Sequence, residues 1–177
     1  MPVVANLLSQ LDQRKSALVH DLSAWTGDQL SWKPNETSWN ALQVLEHIMV
    51  LENSCLSYVK QKTADGWQIL TKAGDAHIAA SIAMNLRMLS SDKFKLPDII
   101  PEPQGDQNLP ALLVMWDLSR VEFNDFMGGL GVEYRDRLIF NHPISGPMTP
   151  AHTLDFLNYH IGHHIPQLQR LRDNQGF

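Results

Sequence analysis

The 177 residues suit one domain spanning 1–177, long enough to bury about 70% of the unfolded surface in one continuous core without disulfide staples. The net charge of −5 is spread along the chain, which excludes a basic face for nucleic acid, and no run approaches the roughly 18 apolar residues of a membrane span. A lone cysteine, Cys55, argues against a crosslinked secreted scaffold, and residues 1–11 lack a basic start followed by an apolar run, so a soluble cytoplasmic protein is expected.

Val4, Leu7, Leu11, Leu18, Leu22 and Trp25 recur at three- and four-residue steps, which predicts a first helix with one buried stripe, stopped by Gly27. A loop through Trp32 and Pro34 leads to a second helix capped by Thr37 or Ser38. Its apolar positions Ala41, Val44, Ile48, Leu51, Cys55 and Tyr58 continue to about Lys62. His47 sits at the edge of that stripe, and Cys55 reads as ordinary packing. Gly66 and Gly74 then interrupt the pattern, Ile78, Ile82, Leu86 and Leu89 predict a shorter helix, and Pro97, Pro101 and Pro103 enforce an extended crossing. This stretch is a connector, not a second domain.

Pro110 suits the first turn of a third long helix carrying Leu112, Trp116, Phe123, Phe126 and Leu130, with Gly128, Gly129 and Gly131 marking its exit. A second loop ends in His142, Pro143, Gly146 and Pro147. Thr149 caps and Pro150 opens a fourth helix on which Leu154, Leu157, Ile161, His164, Leu168 and Leu171 share one seam. No strand-like alternation competes, so the expected fold class is all-α, a four-helix bundle. The long second connection allows the second and third long helices to run parallel.

His160 and His164 carry the chemistry. A four-residue step turns a helix by about 400° and climbs about 6 Å, so both imidazoles lean out on one side and can grip one metal ion. His164 occupies a seam position where an aliphatic residue is expected, and an uncompensated imidazole there would be costly. His163, three residues from His160, could also reach a shared ion, but it falls outside the seam, which favours His164. His47 could supply a third nitrogen, since both sets lie near mid-bundle, although spacing alone does not make their helices neighbours. Three protein ligands leave coordination positions free for water or substrate. The competing reading is three histidines satisfied by ordinary hydrogen bonds. His20, His77, His142 and His152 have no paired spacing and read as surface or capping residues.

Other chemistries fail on the same residues. A di-iron bundle needs Glu-x-x-His, whereas Glu46 and Glu52 are followed three residues later by Met49 and Cys55. His160 is followed by Ile161, not the glutamate of a zinc peptidase, and there is no nucleophile elbow, P-loop or Gly-x-Gly-x-x-Gly. Catalysis would have to come from the metal, through a water or thiol whose pKa it lowers. Imidazole suits zinc or nickel foremost, with iron or manganese as alternatives.

Ser38-Trp39-Asn40 followed by His47, then His142-Pro143-Ile144-Ser145-Gly146, Thr149, His160-x-x-x-His164 and Gln167, form an ordered set over nearly the whole chain. With the proline-rich crossing from Phe94 to Pro103, they resemble the DinB/YfiT-like superfamily of metal-dependent enzymes. That resemblance implies an up-down-down-up bundle, often dimeric, with a divalent ion held by His47, His160 and His164. It implies a small-molecule substrate and either hydrolysis or thiol-dependent S-transfer, because members of the superfamily include S-transferases and a maleylpyruvate isomerase that use bacillithiol, mycothiol or glutathione. A low-molecular-weight thiol is thus a candidate cosubstrate. A non-catalytic metal-binding or stress-response bundle is the alternative. The family commonly has glycine where this chain has Pro166, whose ring crowds the carbonyl of Gly162 and is expected to kink or loosen the helix beyond His164.

Overall fold

Six α-helices and one hairpin form the framework of the computed structural model, which describes residues 1–90 and 100–174. Phe94 and Pro97 of the expected crossing lie outside the described residues. Helix α1 (Pro2–Leu22) buries Val4, Leu7, Leu11, Leu18 and Leu22 as their spacing predicts, and Lys15 fills the remaining turn of the stripe. Its stem is buried while Nζ reaches Asp117 at 2.6 Å and lies 5.0 Å from the Trp116 ring centroid, so a charged side chain completes an apolar face by snorkelling. The helix stops at Leu22 and not at Gly27. Gly27 instead begins a short helix, α2 (Gly27–Ser31), on a capping box between Thr26 and Gln29, within the stretch expected to be loop.

Helix α3 (Ala41–Thr63) is capped by Asn40, which corrects the expectation of Thr37 or Ser38. The Asn40 side chain accepts the Gln43 N–H at 2.8 Å, and the Gln43 side chain accepts the Asn40 N–H at 3.2 Å. The Thr37 and Ser38 hydroxyls both donate to Asn35 Oδ1 in the preceding turn. Helix α4 (Asp75–Met88) forms where predicted, but Ile78, Ile82 and Leu86 are its exposed face and Leu89 is exposed just past its end. Ser81, Met84, Asn85 and Met88 are buried instead, where α4 packs on the last helix and the hairpin. The Ser81 hydroxyl donates to the His77 carbonyl at 2.9 Å, so a small polar residue is satisfied within its own helix at a close contact.

Helix α5 (Leu109–Gly129) starts on Asn108, whose side chain accepts the Ala111 N–H, with Pro110 in its first turn. Gly128 and Gly129 belong to its last turn. Strands β1 (Phe140–His142) and β2 (Gly146–Met148) then pair antiparallel, with Phe140 opposite Met148 and His142 opposite Gly146. This hairpin replaces the expected loop, because three residues per strand are too few for alternation to register. Gly146, at φ +76°, takes the left-handed position that follows a three-residue hairpin loop. Helix α6 (Pro150–Asp173) opens on Thr149 and Pro150 as predicted and buries the whole seam from Leu154 to Leu171. Pro166 lies inside it, exposed, and the helix continues to Asp173.

Side-chain pairs between helices set their directions. Asn158 donates to the Leu7 carbonyl and Arg172 pairs with Asp21, so α1 and α6 run the same way. Asp12 meets Arg120 and Asn124 while Lys15 meets Asp117, so α5 runs opposite to α1. Glu52 meets Trp116 and Arg120 while Lys60 meets Glu122 and covers the Phe126 ring, so α3 and α5 are parallel. The result is an all-α, up-down-down-up four-helix bundle of α1, α3, α5 and α6, with α3 and α6 as antiparallel neighbours. Leu11, Leu45, Ile48, Trp116, Phe123 and Leu154 belong to one continuous core. No described helix is long and apolar enough to cross a membrane.

Candidate metal centre

Antiparallel packing of α3 on α6 brings His47 against His160 and His164. The three are buried, at 6%, 6% and 7% exposure, yet all line one pocket. His160 Nε2 lies 3.1 Å from His47 Nε2 and 3.1 Å from His164 Nε2, and one ligand nitrogen from each ring falls within 4.8 Å of the others. The four-residue step on α6 and the position of His47 on α3 therefore converge as the spacing allowed. His163 lines the same pocket, with its ring 5.4 Å between centroids from His164, but its Nδ1–H donates to the Met88 carbonyl at 3.0 Å, which ties it to α4.

Burial is the first cause of the electrostatics. It holds the pKa of His47 down to about 3, with His164 and His163 adding to the effect, and that of His164 to about 4 despite the hydrogen bond its ring donates to Gln167. His160 is held well below its ordinary value by burial, then by His164 and His47. All three rings are thus neutral near pH 7 and offer lone pairs. His164 Nδ1 lies 2.9 Å from Gln167 Oε1, and a proton on Nδ1 leaves Nε2 as the free donor atom toward the cluster.

The donor set fits a divalent ion. Two nitrogens each about 2.0–2.1 Å from one zinc ion stand roughly 3 Å apart, which is the spacing of the two close pairs. A single His160 Nε2 faces two nitrogens and carries one proton or one lone pair, so hydrogen bonding cannot serve both contacts well. Nδ1 of His47 is moreover buried without a hydrogen-bond partner among the described residues, beside the Trp39 ring at 5.0 Å between centroids.

A pocket of ≈ 320 Å³ opens from the cluster between α3, α4, α6 and the hairpin. Leu51 and Tyr58, read from sequence as stripe residues of α3, line it, as do Met84 and Met88 from α4. Cys55 is 1% exposed at the pocket wall and burial pushes its thiol far above the ordinary range, so it packs as expected. His142 was expected at the surface and is 4% exposed in the pocket wall. The hairpin carries it inward, and the signal that could have found it was the Pro143-to-Gly146 turn directly after it. Of the other lone histidines, His77 and His152 do act at helix starts, where His77 Nδ1 accepts the Gly74 N–H and His152 meets Thr149.

A family model described as the DinB superfamily matches residues 10–168. The chain is similar to the uncharacterized protein YuaE of Bacillus subtilis (strain 168), at 20% identity over 154 residues covering 87% of this chain and 90% of that protein. No solved structure matches it.

Proposed function

This chain belongs to the DinB superfamily, and on that premise we propose that it is a divalent-metal-dependent enzyme of hydrolytic type, with His47, His160 and His164 holding the ion. The observation that carries the reading is the convergence of three neutral imidazoles, two of them 3.1 Å from the third, on the wall of a pocket large enough for a small molecule. An ion bound there supplies Lewis acidity and lowers the pKa of a water or thiol beside it. Gln167 holds the His164 ring in the tautomer that presents Nε2. Phe140, Phe156, Ile100 and the α4 methionines surround the site with apolar surface that excludes bulk water and takes the body of a substrate.

Hydrolysis is favoured over S-transfer because no lysine or arginine stands among the described lining residues to receive the carboxylates of a low-molecular-weight thiol. The same wall also has no aspartate or glutamate among its described residues, which favours, as a second reading, a bundle that binds metal without turnover. Homodimerisation is part of the proposal and gives a sedimentation mass twice the 20.0 kDa of the chain.

Elemental analysis of purified wild type should give about one divalent ion per chain, lost in His47→Ala and His164→Ala. Metal-loaded protein should cleave members of an ester and amide panel without added thiol. Turnover of electrophiles only with added thiol would move the activity to S-transfer, and bound metal without turnover in either panel would leave the non-catalytic bundle.

A further inference from the structure

His142 ends β1 with its ring turned back over the hairpin turn. The N–H groups of Ile144 and Ser145 both donate to its Nδ1, each at 3.1 Å. A backbone amide can only donate, so Nδ1 must present its lone pair and the neutral ring must carry its proton on Nε2. Burial holds the His142 pKa down to about 4, so this tautomer persists near pH 7. Among the described residues no acceptor meets the Nε2–H. The ring packs edge-on to Phe156, 4.4 Å between centroids, in the same pocket wall as the three clustered histidines. A donor left without a protein acceptor in a largely apolar pocket wall is costly, and a ligand oxygen in the pocket would satisfy it.

We propose that His142 is a substrate-binding donor, and that the pocket takes an uncharged, largely apolar molecule whose carbonyl-type oxygen accepts the Nε2–H hydrogen bond. This deepens the preceding reading and rests on it for the pocket's role. The body of such a molecule suits a wall of Phe140, Phe156, Met84 and Met88 with no charged side chain among its described residues, where a charged group out of reach of the proposed ion would lose its hydration without gaining a partner.

Acetophenone and cumene, a ketone and a hydrocarbon of similar shape, are titrated into zinc-loaded wild type and His142→Asn and followed by ligand-observed NMR. Asparagine keeps an oxygen able to accept the turn's N–H groups and withdraws the ring donor. The ketone-to-hydrocarbon affinity ratio should fall by about 2- to 10-fold in the variant. An unchanged ratio overturns the proposal. Nitrogen-15 spectra of the wild-type side chain, which need no variant, should place the His142 proton on Nε2 at pH 7, and a proton on Nδ1 overturns it equally. Zinc titration is scored separately: if zinc fails to bind, the metal reading falls, while the affinity ratio repeated in chelator-treated protein still decides the role of His142.

Discussion

Four imidazoles buried around one pocket make the protein sensitive to acid in a defined window. His47 is held at about 3, His142 and His164 at about 4, and His160 well below its ordinary value, against about 6.5 for a histidine in the unfolded chain. As pH falls below about 6.5 the unfolded chain takes up protons that the folded protein refuses, so stability present above that pH is lost progressively toward about 3. Urea midpoints of metal-free protein at about pH 7.5 and 5 isolate the effect, because carboxylates titrate lower. The midpoint should be lower at the more acidic pH, and equal midpoints would show that these rings are not buried and neutral. Pro166 is a milder residue-scale case. It is exposed on α6 and the helix runs on past it, so Pro166→Gly should change zinc affinity by less than about tenfold, measured by competition with a chelator.

At the scale of elements, the loop before α5 is tied to the start of the helix that carries His47. The Gln43 side-chain amide donates to the Pro103 carbonyl at 2.9 Å, and the Gly105 N–H donates to Glu46 at 2.7 Å. Gly105 has φ +71°, and a Cβ there would meet Gln43 Cγ at 2.7 Å. Gly105→Ala should therefore cost about 1–3 kcal/mol in denaturant unfolding, and a neutral result would mean that this loop does not dock on α3. The long helices were legible because Leu7, Leu11 and Leu18, or Leu154, Leu157 and Ile161, repeat at helical period and are buried for that reason. The face of α4 was not legible, since Ile78, Ile82 and Leu86 repeat equally well, and only the neighbouring helix decides that Ser81, Met84 and Asn85 go inside. Asn40 was missed because three candidate caps stand within four residues and Asn35 claims two of them. The pairing of His160 and His164 could be read from one helix, whereas the burial of His142 depends on a hairpin whose strands are too short to show alternation, so the Pro143-to-Gly146 turn was its one signal.

Across the whole molecule, α3 separates what holds the bundle from what binds. Toward α5 it presents Glu52, which accepts from Arg120 Nη2 at 2.6 Å and from the Trp116 indole at 2.7 Å. Toward α6 it presents His47. Arg120→Met leaves the Glu52 carboxylate buried without its counter-ion and should cost about 3–5 kcal/mol of stability, yet folded protein should keep its full metal stoichiometry. Loss of metal from the folded variant would show that the two faces are coupled. Helix order, direction and adjacency together bring His47 to the α6 pair, and calorimetric titration of zinc into metal-free protein tests that convergence most directly. One site per wild-type chain is expected, with affinity reduced by more than about tenfold in each of His47→Ala, His160→Ala and His164→Ala. Wild-type affinity retained in His47→Ala would contradict it.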